Sequence, residues 1–166
     1  MNLLKKIARR ILYTDPISKA RKLGVKIGDN CRLLDNVRFH SEPYLITIGN
    51  HVSITDSEFI THDGAVWIFR EEMPEIDSFG RINVGDNIFI GSKCLILPGV
   101  SIGNNTIVGA GSVVTKDLEG GFVYAGVPAK RICTIDEYRD KNEPRFIMTK
   151  NMSSSQKKKF LLRNSI

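Results

Sequence analysis

An apolar residue recurs at every sixth position through most of this chain, with two interruptions. The series is Ile27, Leu33, Phe39, Ile48, Ile54, Ile60, Val84, Ile90, Ile96, Ile102, Val108 and Val114. A period of six fits neither the 3.6-residue helix nor the simple alternation of a strand. It predicts one short strand and one corner per six residues, so that three units close a triangular coil of about 18 residues. A single coil cannot bury its own inward face, so the coils must stack into a parallel β-helix.

The residues beside the apolar positions favour tight corners and a narrow interior. Glycine directly follows six of the apolar residues: Gly28, Gly49, Gly85, Gly91, Gly103 and Gly109. Asn and Asp often follow these glycines, and all three residue types tolerate the backbone angles of a corner. Cys31 and Cys94 stand where a small inward residue is expected. We count four coils, at residues 27–44, 48–65, 84–101 and 102–119.

Composition excludes several classes of protein. The 166 residues suffice for one domain with a sizeable core. The net charge of +6 makes anionic partners plausible, but no motif for reading bases is present, so we expect no nucleic-acid partner. Three cysteines without a CxxC pattern favour a reduced, cytoplasmic protein. The N-terminal stretch "MNLLKKIARRIL" has charges among its apolar residues, which is not typical of a signal peptide or a membrane span.

Two stretches carry a family resemblance: "INVGDNIFIGSKCLILPGVSIGNNTIVGAGSVVTKDL" and the following "YAGVPAKRI". They resemble the hexapeptide-repeat acyltransferases, and especially the sugar O-acetyltransferases of the maltose and galactoside acetyltransferase type, including those that act on capsule and lipopolysaccharide precursors. The resemblance implies an all-β, left-handed parallel β-helix with short flanking helices. It also implies acetyl-CoA as co-substrate, a carbohydrate acceptor, no metal, and a homotrimer with active sites between subunits.

His62 is the candidate catalytic base. It lies in "FITHDGAVWIFR", just before the second interruption of the repeat. A neutral imidazole suits proton transfer near neutral pH, although a Thr-His-Asp string also fits a polar corner. In the resembling family, a histidine at this place removes the proton of the acceptor hydroxyl, which attacks the thioester directly. His40 and His51 are interpreted as structural, and their spacing of eleven residues does not stack on an 18-residue coil to form a three-histidine zinc site.

The resemblance implies three groups of residues that bind coenzyme A. Ser92 of "IGS" supplies a backbone amide near the thioester carbonyl. Ala110 and Thr115 line the pantetheine arm. Lys130 meets the nucleotide phosphates, with Arg131 and Lys116 as helpers; lysine binds phosphate as a point charge, whereas arginine offers a bidentate fork.

The second interruption, residues 66–83, predicts an acceptor loop. Long loops within compact domains usually have a function, and the resemblance implies that this one encloses the acceptor. Trp67 can pack on a sugar ring or cover the open side of the coil, and Arg70 is a further acceptor candidate. Asp63 is a candidate to orient His62, and Asp35 corresponds approximately to a polar acceptor-binding residue of the family.

The chain ends complete the predicted organisation: a helical cap at 1–24, the β-helix at 25–120, and a coenzyme A-binding extension with a helical tail at 121–166. Residues 3–12 predict a basic amphipathic helix, which either caps the coil or contacts an anionic membrane surface. "IDEYRDK" and "SSSQKKKFLLR" predict short helices. Two other functions remain open: N-acetylation of an amino sugar, and a non-catalytic scaffold built on the same coil.

Overall fold

The structure, a computed structural model, describes residues 15–164. It divides into two compact units, the first extending to Ile135 and the second beginning at Asp136. The predicted basic helix at residues 3–12 lies outside the described residues, so it stays a prediction. Across residues 15–164, no helix has the length and apolar character needed to cross a bilayer.

Short strands make up most of the first unit. In chain order they are Lys26–Ile27 (β1), Arg32–Leu34 (β2), Arg38–Phe39 (β3), Ile46–Ile48 (β4), Val52–Thr55 (β5), Glu58–Phe59 (β6), Ile82–Val84 (β7), Ile88–Ile90 (β8), Leu95–Ile96 (β9), Ser101–Ile102 (β10), Thr106–Val108 (β11), Val113–Val114 (β12), Phe122–Ala125 (β13) and Lys130–Thr134 (β14). Helix α1, Pro16–Lys22, precedes them, and the Asp15 side chain caps it by accepting from the Ser18 amide.

The strands form three sheets, because each strand generally stacks on the strand three places earlier in the chain. The first sheet orders β1-β4-β7-β10, the second β2-β5-β8-β11-β13-β14, and the third β3-β6-β9-β12. All strand pairs in them are parallel except β13–β14, which is antiparallel. These mostly parallel sheets agree with the predicted stacking of coils.

Eleven of the twelve residues of the predicted apolar series lie in the inward columns of the three sheets, and Phe59 and Tyr124 complete these columns. The columns are Ile27–Ile48–Val84–Ile102, Leu33–Ile54–Ile90–Val108–Tyr124 and Phe39–Phe59–Ile96–Val114. Most of these side chains are buried and together form the core. Cys94 fills a small inward position as expected and is fully buried, whereas Cys31 is only half-buried.

One predicted inward residue is wrong. Ile60 continues the period of six, but Phe59 is the residue that stacks between Phe39 and Ile96 and is 0% exposed. The second coil has one residue fewer between its second and third sheets, and this shift brings Phe59 inward. Its ring lies 5.3 Å from the Phe39 ring, so two aromatic side chains fill the space that smaller aliphatic residues fill elsewhere.

Corners are formed by residues with left-handed backbone angles. Asn30, His51, Asn87 and Asn105 occupy the same corner of successive coils with φ between 53° and 56°. Their side chains form part of a ladder, since His51 Nδ1 lies 2.9 Å from Asn87 Oδ1 and Asn87 Nδ2 donates to Asn105 Oδ1 at 2.7 Å. His51 is therefore a structural corner residue, as the sequence predicts.

The second unit is small and helical. It contains most of helix α2, Ile135–Asn142, which begins at the last residue of the first unit, then a 3₁₀ helix at Glu143–Arg145 and helix α3 at Ser154–Arg163. The two α-helices coincide with the sequences predicted to be helical. Ser153 and Gln156 form a capping box at the start of α3.

Candidate active site

His62 lies at the base of the long loop, just after strand β6. It forms an isolated antiparallel bridge with Phe79, so the two ends of the loop run side by side. Backbone hydrogen bonds on either side join Asp63 N to Ser78 O and Gly80 N to Thr61 O, each at 2.9 Å. This pairing fixes the backbone of His62 although its side chain remains 38% exposed.

A carboxylate stands next to the imidazole of His62. Glu42 Oε2 lies 3.5 Å from His62 Nδ1, and Ser41 Oγ lies 3.5 Å from the same nitrogen. Glu42 also accepts a 3.0 Å hydrogen bond from the hydroxyl of the buried Thr61, which holds the carboxylate in place. A carboxylate at Nδ1 favours the tautomer that leaves Nε2 free to accept a proton. Both distances are long for hydrogen bonds.

Sequence reasoning missed Glu42 and Ser41. They belong to the first interruption of the repeat, where the 3₁₀ helix Pro43–Leu45 adds residues between β3 and β4. The long loop interrupts the next coil at the same corner, between β6 and β7. Equivalent corners of stacked coils are neighbours, so two interruptions at one corner could have pointed to this pair.

The predicted acceptor residues of the loop have structural contacts of their own. Asp63 accepts a 2.9 Å hydrogen bond from the Ala65 amide and so caps the 3₁₀ helix Gly64–Phe69. Arg70 pairs with Asp77 at 2.7 Å and closes the loop. Trp67 is 75% exposed. Asp63 is thus bonded to the loop, while Glu42 occupies the orienting position that the sequence left open.

Asp35 lies at a different corner from His62. It has a φ of 58° between β2 and β3, where Asp56 and Lys93 hold the equivalent places in the next two coils. Asp35 and His40 both line a cavity of about 470 Å³ beside helix α1. His40 Nε2 lies 3.0 Å from Glu58 Oε2, which agrees with a structural role for this histidine.

The predicted donor residues flank the third sheet. Ser92 and Ala110 occupy the same corner in successive coils, just before β9 and β12. Thr115 and Lys116 follow β12, at the opposite end of the strand. The stacking is close: a Cβ on Gly91 would lie 2.6 Å from the Ala110 backbone nitrogen. The Ser92 carbonyl accepts from the Gly111 amide at 2.8 Å. His62 follows β6 of this same sheet.

The "AGVPAKRI" segment caps the same sheet. Val113 N donates to Gly126 O at 3.0 Å, and Ala129 N donates to Val113 O at 2.8 Å, so residues 126–129 lie beside β12. Lys130 is the next residue and begins β14. The Arg131 guanidinium lies 3.3 Å from the centroid of the Phe122 ring. Three strand spacings separate the coil of His62 from this segment, which is about 14 Å along the stack.

Comparison with known proteins identifies the family. Residues 81–116 match the family described as bacterial transferase hexapeptide (six repeats). Protein CapG of Staphylococcus aureus is 52% identical over 163 residues, which cover 96% of this chain and 93% of CapG. The chain belongs to the hexapeptide-repeat transferase family. Galactoside O-acetyltransferase of Escherichia coli is 41% identical over 61% of this chain and 49% of its own length, so that match spans about half of the relative.

A solved member of the hexapeptide-repeat family has a similar fold. The hexapeptide-repeat-containing acetyltransferase of Vibrio cholerae superposes with a TM-score of 0.61 at 28% identity, covering 68% of this chain and 63% of its own. A structure of that protein complexed with acetyl coenzyme A matches with a TM-score of 0.58 at 24% identity, covering 77% and 82%, and it shows likeness of fold alone.

The segment that matches the family description contains Ser92, Ala110, Thr115 and Lys116, whereas His62 and Glu42 precede it. Among residues 15–164, no group of three or more His, Cys, Asp or Glu side chains is arranged to hold a metal ion.

Proposed function

We propose that this protein transfers an acetyl group from acetyl-CoA to a sugar hydroxyl in the synthesis of a surface polysaccharide. The observation that carries the proposal is the His62–Glu42 pair. His62 follows a strand of the third sheet, and the predicted donor residues lie at the strand ends of that sheet. His40 also lies beside a carboxylate, but Glu58 occupies its Nε2, whereas Glu42 lies at Nδ1 of His62 and leaves Nε2 to accept a proton. The similarity to a galactoside O-acetyltransferase and to a solved hexapeptide-repeat acetyltransferase supports acetyl transfer to a sugar.

The chemistry follows from the side chains available. His62 Nε2 accepts the proton of the sugar hydroxyl as the oxygen attacks the thioester carbonyl carbon. In the trimer inferred below, the Ser92 amide of a neighbouring subunit stabilises the resulting oxyanion, because within one subunit Ser92 precedes β9 whereas His62 follows the parallel neighbour β6. A contact of this type typically contributes about 10²–10³-fold in turnover. Glu42 stabilises the positive charge that forms on the imidazole. Collapse of the tetrahedral intermediate expels the coenzyme A thiolate, which takes the proton back from His62.

Several features of the family complete the proposal. We infer that the coil is left-handed and that three subunits assemble with donor sites between them. Trp67 and Ile68 are 75% and 74% exposed on the loop beside His62, which suits contact with a neighbouring subunit or the acceptor. The acetyl-CoA donor and the three free cysteines favour a cytoplasmic location. Contact of residues 3–12 with a membrane stays a prediction.

The test is a pair of measurements on His62→Ala. We expect turnover to fall by about 10²–10⁴-fold, because the general base is lost, while calorimetric binding of acetyl-CoA is retained. His51→Ala is the matched control, since His51 lies in the corner ladder, and it should retain turnover if the protein folds. A screen of sugars and amino sugars distinguishes O-acetylation from N-acetylation. Wild-type turnover by His62→Ala would remove His62 from the mechanism, and no binding of acetyl-CoA by the folded wild type would reject the donor.

A further inference from the structure

A segment near the C-terminus of this protein is basic and has no acidic residues. Residues 144–164, which we call the C-terminal basic segment, contain six Lys or Arg and no Asp or Glu. The six are Arg145, Lys150, Lys157, Lys158, Lys159 and Arg163. The whole chain has 24 basic and 18 acidic residues, so the rest of it has 18 of each and is neutral. This segment therefore carries six positive charges with no acidic residue beside them, and residues 1–26 are the other basic stretch, with eight Lys or Arg and one Asp.

The same segment exposes large apolar side chains. Met148 is 90% exposed, Leu162 78%, Phe146 56% and Leu161 39%. Within residues 136–164 no side chain is buried, so the second unit has no core of its own. Helix α3 has only ten residues, a length at which isolated helices are marginal in water even with a capping box. Burial of these apolar side chains against a partner surface would stabilise such a short helix.

We propose that the C-terminal basic segment docks on the surface of an anionic lipid bilayer. Lysines attract the segment to anionic headgroups, and Met148, Leu161 and Leu162 then enter the boundary between headgroups and acyl chains. Lys157, Lys158 and Lys159 keep their ammonium groups at headgroup level because their aliphatic stems can lie along the apolar region.

Charge and chemistry select this partner over two others. A second copy of the segment would bring two surfaces of the same sign together, which opposes association. A nucleic acid would satisfy the lysines through its phosphates but would offer no apolar region for Met148 and Leu162. The inference does not depend on the acetyltransferase proposal, because the segment contains none of the residues assigned to that chemistry.

The test is co-sedimentation of the full-length protein with vesicles of phosphatidylcholine alone or mixed with phosphatidylglycerol. We expect binding to the mixed vesicles, release at high salt, and little binding to phosphatidylcholine alone. The triple change Lys157→Gln, Lys158→Gln and Lys159→Gln should weaken binding by about 100-fold, since each lysine near an anionic leaflet contributes about a factor of five. The paired change Leu161→Ser and Leu162→Ser should also weaken binding.

A matched control removes the same charge from the first unit: Lys19, Lys22 and Lys26, all exposed, are changed to Gln. This control should bind the mixed vesicles like the wild type, as should a variant with arginine at positions 157, 158 and 159. Retention of acetyl-CoA binding or of the circular dichroism spectrum reports that each variant is folded. Wild-type binding by the triple Gln variant would overturn the proposal. So would loss of binding on changing Lys5, Lys6 and Arg9 alone, or binding to RNA without binding to vesicles.

Discussion

Replacing Glu42 by glutamine removes a negative charge 3.5 Å from His62 Nδ1 while it keeps the size of the side chain. In the proposed reaction the imidazole becomes positively charged, so the carboxylate would stabilise the transition state more than the ground state. Coulomb's law gives about 1.2 kcal/mol at 3.5 Å in water and about 4.7 kcal/mol at an effective dielectric constant near 20. Because the His62 side chain is 38% exposed, solvent screens the pair and the lower part of this range applies.

We therefore expect Glu42→Gln to lower kcat by about tenfold, with little change in KM for acetyl-CoA. The assay follows release of the coenzyme A thiol by disulfide exchange with a coloured reagent. Burial raises the pKa of the Cys94 thiol, which keeps the background from that residue low. Ser41→Ala tests the other neighbour of Nδ1 and should have the smaller effect, since a hydroxyl carries no charge. Wild-type kcat in Glu42→Gln, with His62→Ala inactive, would refute the assignment of Glu42 as the residue that positions His62.

Three further changes test the fold and the donor site. Phe59→Ala should destabilise the protein by about 3–5 kcal/mol in denaturant unfolding, and Ile60→Ala by clearly less; the reverse order would restore Ile60 to the core. Gly80→Ala should lower the melting temperature, because its Cβ would lie 2.2 Å from the Gly99 nitrogen, whereas Gly64→Ala in the same loop meets nothing within 4 Å and should be nearly neutral. Lys130→Gln should weaken acetyl-CoA binding about tenfold in calorimetry. Equal affinities of the wild type and this variant for acetyl-CoA would exclude a contact between Lys130 and the phosphates.

The period of six was sufficient to predict the stacked coils because each strand contributes one inward residue at a fixed step. The prediction fails where the step changes. Phe59 comes one residue early, and Tyr124 and Leu118 extend the stack into a partial fifth coil after a shorter step. The residue types alone cannot show this change of step, because Phe59 and Ile60 are both apolar and either could face inward.

The site was predictable only in part, for a related reason. His62 could be selected because it is one of three histidines and precedes the long interruption. Glu42 is twenty residues earlier, and only the stacking of coils brings it beside the imidazole. Asp63, adjacent in sequence, turns instead to the Ala65 amide, because the start of a 3₁₀ helix needs an acceptor there.

Both interruptions of the repeat leave and re-enter the coil at one corner, and the columns on either side keep their register across them. Ile48 still pairs with Val84 although 36 residues separate them, as against 18 for Val84 and Ile102. Segments of different length can therefore be exchanged at this corner without altering the strands that hold the donor residues. Under the proposed function, the acceptor preference of this fold can therefore change through the inserted segments while the β-helix itself stays the same.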